Sequence, residues 1–185
     1  RLASMIKNPN RPYNRKNRLH DNPSYEISRP ADAQYEIVKL MATFQMTFPG
    51  APLLWYGDEA GMFGSGDPAN RMPMWWSDLM PYDNKEYGIQ TDLQDHFRRV
   101  IAMRNTYPAL RTGSFEKILT NDGSKIYAFE RRDDKHRLII VLNNDKSPHT
   151  VEKYLRHLED TFLFFRLSRF SPKVKEQTAA PKKVY

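Results

Sequence analysis

The chain has 185 residues, of which 39% are hydrophobic and 12% aromatic, with no cysteine and a formal charge of +7. These figures suit a globular protein with room for a sizeable core, and they exclude disulfides, a thiol nucleophile and cysteine-ligated metal. Residues 1–30 carry seven Lys/Arg against two Asp/Glu, and residues 151–185 carry eight against four; the centre, with fourteen against sixteen, is slightly acidic, so the basicity reads as solvated or neutralised ends rather than a nucleic-acid groove.

In chain order, the opening Arg1-Leu2-Ala3-Ser4-Met5-Ile6 has neither an initiating Met nor the basic and apolar regions of a signal peptide, and is expected to be internal to a longer protein. Pro9, Pro12, Pro23 and Pro30 exclude a long helix over 7–30 and favour a loop. His20-Asp21 in that loop imitates a catalytic pair, but a lone His beside an Asp in a polar turn reads more simply as a surface hydrogen bond. From Ala31 to Thr47, Ile37, Leu40, Met41, Phe44 and Phe48 recur at helical spacing, with Asp32 and Glu36 near the favourable end of the dipole. The pattern predicts a helix docked on a sheet through that stripe. Pro49-Gly50 ends it, and the short apolar run Leu53-Leu54-Trp55-Tyr56, closing at Gly57, reads as a strand over 52–57 covered on both faces.

Asp58 and Glu59 follow at the carboxyl end of that strand. From there to about Gln90 the chain is rich in Gly, Asp, Asn, Pro and aromatics, too long for an ordinary connection and typical of a binding loop. Such a loop after a buried parallel strand is where α/β barrels keep their sites. Thr91 is expected to cap a second helix, with Leu93, Phe97, Val100 and Ile101 on one face and Tyr107-Pro108 at its end.

Beyond Pro108 the period becomes two. The turn Asn121-Asp122-Gly123-Ser124 precedes the alternation through Ile126, Tyr127, Ala128, Phe129 and Glu130, and Leu138-Ile139-Ile140-Val141-Leu142 ends at Asn143-Asn144-Asp145, predicting antiparallel strands of a separate module joined near residue 110. Residues 156–185 show no sustained period and read as a poorly specified tail. Their longest apolar run, Phe162-Leu163-Phe164-Phe165, is far short of the roughly 20 residues that cross a bilayer.

The run Gly50-Ala51-Pro52-Leu53-Leu54-Trp55-Tyr56-Gly57-Asp58-Glu59 and the stretch Gly64-Ser65-Gly66-Asp67-Pro68-Ala69-Asn70-Arg71-Met72-Pro73-Met74-Trp75 together resemble the α-amylase family, glycoside hydrolase family 13, and within it the neopullulanase and cyclomaltodextrinase branch. The first resembles that family's eighth barrel strand, the second the Asp-Pro, Asn-Arg, Pro-Met, Trp stretch that follows it. The resemblance covers residues 1 to about 150, including Arg1-Leu2-Ala3-Ser4-Met5. It implies an α/β fold in which residues 1–110 form the last helix–strand–helix part of a (β/α)8 TIM barrel, and residues 111–155 begin an incomplete antiparallel β-sandwich. Beyond that the match is lost, and C-terminal truncation or a changed reading frame is one reading of the tail.

The resemblance also implies an α-glucan or maltooligosaccharide substrate; no cofactor and no metal site are expected. It places contact with a glucose unit on the non-reducing side of the cut on Asp67 and Arg71. The family's Asp nucleophile, Glu acid/base and stabilising Asp would all precede Arg1, so no catalytic residue is assigned here, the missing N-terminal part of the barrel becomes a partner, and the chain alone is expected to be inactive and prone to association. Read from the residues alone, Asp67 and Arg71 read more simply as a loop-internal ion pair worth about 0–1 kcal/mol. Trp75 and Trp76 could be sugar platforms or loop packing. Asp58 and Glu59 cannot act as a catalytic pair through adjacency, because consecutive strand residues point to opposite faces, and Glu59 is expected in a buried hydrogen bond. The glycines at 61, 64 and 66 lack a nucleotide-binding order, and Asp67, Asn70 and Asp78 lack calcium-loop spacing. Two rival readings are a noncatalytic glucan-binding piece and a basic nucleic-acid-binding module.

Overall fold

The computed structural model describes residues 1–9 and 18–145; the tail expected over 156–185 and the last residues of the expected sandwich segment lie outside the described residues. Four helices precede three strands: α1 (Leu2–Lys7), α2 (Asp32–Thr47), α3 (Thr91–Thr106), α4 (Ala109–Thr112), β1 (Ser114–Asn121), β2 (Ile126–Arg132) and β3 (Arg137–Asn143), with one 3-10 turn at Ser77–Leu79 in the long loop. The junction expected near residue 110 falls within α4.

Helix α2 has the extent that the spacing predicts, but a different face is packed. Tyr35, Val38, Ala42 and Met46 are buried, whereas Ile37 and Met41 are exposed. The reason is that α2 lies between α1 and α3. Ala3, Tyr35, Val38, Ala42, Leu93 and Phe97 form one core, in which the small side chains of Ala3 and Ala42 sit among larger ones. Thr91 is the first helical residue of α3 rather than its cap; Asp92 in the first turn instead pairs with Lys39 of α2 at 2.5 Å.

Residues 51–56 correct the expectation of a covered strand. They pair with no strand among the described residues, and Leu53 is 80% exposed. An apolar run becomes a strand only when a neighbouring backbone takes up its N–H and C=O groups, and β1, β2 and β3 pair with one another instead. Side chains hold the segment in place: Gln45 Nε2 donates to the Leu53 carbonyl at 2.6 Å, and the Arg1 guanidinium donates to that of Tyr56.

The sheet is antiparallel in the order β1-β2-β3, with β2 central and a register irregularity in β1 between Lys117 and Leu119. Asn121 Oδ1 accepts from the Ser124 N–H at 2.9 Å and closes the β1–β2 turn. Phe44 of α2 and Phe48 just beyond it turn toward this sheet, with Phe48 5.1 Å from Phe115 and 5.9 Å from Phe129 between ring centroids. Two buried arginines, one joining α3 to the end of α2 and to α4 and the other joining the sheet to the same region, lock these elements together. Arg131 of β2 donates to the carbonyls of Thr47, Leu110, Gly113 and Ser114, and Arg104 of α3 to those of Met46, Leu110 and Gly50. Both act on carbonyls at or just beyond the C-terminus of α2, where a cation is favoured. They fix the direction in which the chain leaves α2 for the long loop.

Among the described residues, no helix is long and apolar enough to cross a membrane.

Candidate functional site

The loop from Gly57 to Gln90 starts in a tight turn. Gly57 has φ +87, and the Met62 N–H returns to its carbonyl at 2.9 Å; a Cβ there would stand 2.3 Å from Met62 Sδ, so both the backbone and the space require glycine. Two helices and the loop's own last residue then tether it. Ser4 of α1, fully buried, accepts from the Gly64 N–H at 2.8 Å; Tyr35 of α2 donates to the Gly61 carbonyl at 2.8 Å; and Gln90, just before α3, donates its N–H to the Ala60 carbonyl at 3.0 Å. Burial drives the Tyr35 pKa up to about 12, opposed in part by Arg29, so the phenol stays protonated and keeps donating.

The loop also has its own core of Ala60, Met62, Phe63 and Trp75. Trp75 is buried, stacked on Tyr87 at 5.1 Å and edge-on to Phe63 at 5.3 Å, which is the packing alternative of the two that the sequence left open. Trp76 remains exposed, its N–H and carbonyl both bonded to the Tyr82 hydroxyl.

On this support sit Asp67 and Arg71, both predicted as site residues, and the fold brings them together: Arg71 Nη2 lies 2.7 Å from Asp67 Oδ1, with both side chains substantially exposed. The second Asp67 oxygen faces Arg18 Nη2 at 3.7 Å. Sequence reasoning passed over Arg18, because it stands in a proline-rich basic stretch with no local pattern to mark it. The segment carrying it is tied to the loop by the Leu19 N–H, which donates to Ser65 Oγ at 3.2 Å. Tyr56 closes the other flank, with its hydroxyl donating to the Met72 carbonyl at 3.0 Å and its ring beneath the Arg1 guanidinium at 4.5 Å.

The remaining candidates are not drawn into this group. Asp58 accepts from the Leu2 N–H at 3.4 Å, and burial raises its pKa despite that bond and the nearby Arg1. Glu59 Oε2 is buried, but the hydrogen bond expected of it is not formed among the described residues. Without a strand at 57–59, the orientation argument about opposite faces gives way to a turn, in which Asp58 is already engaged with α1. His20 and Asp21 form an exposed pair at 3.1 Å. The described residues contain no group of three or more His, Asp or Glu side chains placed to hold a metal ion.

No family profile matches the chain. Individual relatives do. A cyclomaltodextrinase of Bacillus sp is 35% identical over 135 residues, 73% of this chain and 23% of its own length. The chain belongs to the α-amylase family. Its similarity lies on the cyclomaltodextrinase and neopullulanase side of that family: neopullulanase 2 of Thermoactinomyces vulgaris is 34% identical over 113 residues, 61% of this chain and 18% of that protein. Among solved structures, a cyclomaltodextrinase superposes with a TM-score of 0.54 at 35% identity, covering 65% of this chain and 20% of the other. An Anoxybacillus α-amylase does so with a TM-score of 0.53 at 27% identity, covering 62% and 22%. The chain thus spans about a fifth of the length of these α-amylase-family relatives.

Proposed function

We propose that this chain supplies part of the substrate-binding surface of a retaining, α-glucan-acting glycoside hydrolase, with Asp67 and Arg71 holding a glucose unit on the non-reducing side of the scissile bond. In this reading residues 1–110 are the closing part of a (β/α)8 barrel, residues 111–155 begin the sandwich, and residues 51–56 are the strand that the rest of the barrel would flank. The observation that carries the reading is the Asp67–Arg71 pair, a planar donor fork and an acceptor 2.7 Å apart on a braced, open loop. Retaining hydrolysis needs an acid and a nucleophile about 5–5.5 Å apart across the glycosidic bond. Asp58, bound to the α1 backbone, and Glu59, with Oε2 buried in the turn, do not present such a pair, which supports assigning the chemical step to carboxylates outside the described residues.

Among the described residues, three basic side chains near the N-terminus are engaged within the fold, which weighs against the nucleic-acid alternative. Lys7 reaches Glu26 at 3.3 Å, Arg1 is buried, and Arg29 donates to the Glu86 carbonyl at 3.1 Å. Purified chain incubated with maltooligosaccharides should bind them without cleaving them, and Arg71→Ala should weaken binding by tenfold or more. Cleavage by the isolated chain, or undiminished affinity of Arg71→Ala, would defeat the proposal.

A further inference from the structure

The two oxygens of Asp67 are not equivalent. Oδ1 is closed by Arg71 at 2.7 Å, the length of a charge-assisted hydrogen bond, whereas Oδ2 stands 3.7 Å from Arg18 Nη2, too far for a direct bond. A hydroxyl oxygen placed about 2.8 Å from each of those two atoms bridges the gap, accepting from the guanidinium and donating to the carboxylate. That polarity suits an alcohol.

The gap opens on a hollow of about 310 Å³ lined by Arg18, Leu19, His20, Ser65, Asp67 and Ala69. This is the low end of the roughly 300–1,000 Å³ range of small-molecule sites. The described charges beside it are of both signs. Arg18 and Arg71 share Asp67, and His20 is paired with Asp21, so an anion entering the hollow meets the Asp67 carboxylate as well as the guanidinium. The Leu19–Ser65 bond holds the Arg18 backbone beside the loop, so the gap is set by two fixed segments.

We propose that Arg18 is a third sugar contact, a specificity-determining residue whose guanidinium and Asp67 Oδ2 together grip one hydroxyl of a neutral glucose unit. The proposal rests on the reading of Asp67 and Arg71 as glucan contacts. It adds a residue from a segment nearly fifty positions upstream, and it selects a neutral polyhydroxy ligand over a phosphorylated one.

The test is calorimetric titration of the full chain with maltotriose, repeated for Arg18→Ala, Arg18→Lys and Arg71→Ala, with circular dichroism melts to confirm that each variant is folded. Arg18 is half exposed and its removal should leave the melt unchanged. Arg18→Ala should raise the maltotriose Kd about tenfold or more, the loss of one charge-assisted bond, and Arg18→Lys should recover only part of it. Inorganic phosphate at equal concentration should not compete. If Arg71→Ala weakens binding and Arg18→Ala stays within twofold of the parent, the Arg18 contact is overturned and the Asp67–Arg71 reading survives. If Arg18→Ala alone weakens binding, the hollow stands and the role of Arg71 falls. Absence of saturable maltotriose binding by the parent chain, or competition by phosphate, overturns the assignment of a neutral sugar.

Discussion

Replacing Arg131 by alanine is expected to be among the most damaging single changes in the described fold. The side chain is 1% exposed and makes four hydrogen bonds, to Thr47 at 2.8 Å, Leu110 at 3.0 Å, Gly113 at 3.1 Å and Ser114 at 3.1 Å, all through backbone carbonyls. Each bond from a charged donor contributes about 1.5–3 kcal/mol net, but the bonds share one side chain and are offset by burying its charge. That burial, with Arg104 nearby, holds the guanidinium pKa below its usual value, although it stays charged at neutral pH. The balance is a loss of about 3–5 kcal/mol, because truncation leaves carbonyls unpaired as well as a cavity. With a urea m-value of about 2 kcal/mol/M, the unfolding midpoint should fall by roughly 1.5–2.5 M. Arg131→Lys, which keeps the charge but gathers its donors on one nitrogen, should lose about half as much. The assay is urea unfolding followed by tryptophan fluorescence and far-UV circular dichroism. A midpoint within about 0.5 M of the parent for Arg131→Ala would refute the view that this residue bolts α2 to the sheet.

Three further outcomes are expected. Gly57→Ala places a Cβ against buried Met62 in a backbone that L residues avoid, and should cost at least about 1–2 kcal/mol in a thermal or urea melt; a neutral result would show that the turn relaxes without strain. His96 is wedged against α2, with Nε2 2.9 Å from Thr43 Oγ1 and 3.0 Å from the Lys39 carbonyl, and burial lowers its pKa. Since the unfolded chain, with a His pKa of about 6.5, then binds the proton more readily, this contribution to stability is full above that value and is lost as pH falls through the lower folded pKa. Melts from pH 7.5 down to 5 should decline less steeply for His96→Gln, and equal slopes would contradict the assignment. Leu53→Lys, at a position 80% exposed, should leave the melt within about 0.5 kcal/mol while reducing self-association in sedimentation velocity; unchanged association would show that residues 51–56 are not its seam.

The elements carried by local pattern were legible in the sequence: α2, α3 and the strand at β2 lie where their patterns place them, although β2 is buried on both faces from Ala128 to Arg131 instead of alternating. Which face of a helix is packed was not. Ile37 and Met41 are as apolar as Val38 and Ala42, and only the positions of α1 and α3 decide between them. The same holds for residues 51–56, whose apolar run calls for a strand but cannot supply the neighbouring backbone. Arg104 and Arg131 count as surface charge in any composition, yet both are spent on carbonyls inside the fold. Asp67 and Arg71 were found through a motif and do meet, while Arg18 comes from a segment with no periodicity to flag it.

The three hydrogen bonds that reach the loop from Ser4, Tyr35 and Gln90 have an evolutionary consequence. The first two tie the loop that carries Asp67 and Arg71 to α1 and α2, and the third closes the loop where it enters α3, so a substitution that slides a helix by a fraction of an ångström shifts the support of Asp67 and Arg71 without touching them. On the proposed reading, ligand preference can then drift through changes in the helical layer alone, while Asp67 and Arg71 stay the same. Two proteins with identical side chains at positions 67 and 71 need not share a preferred glucan.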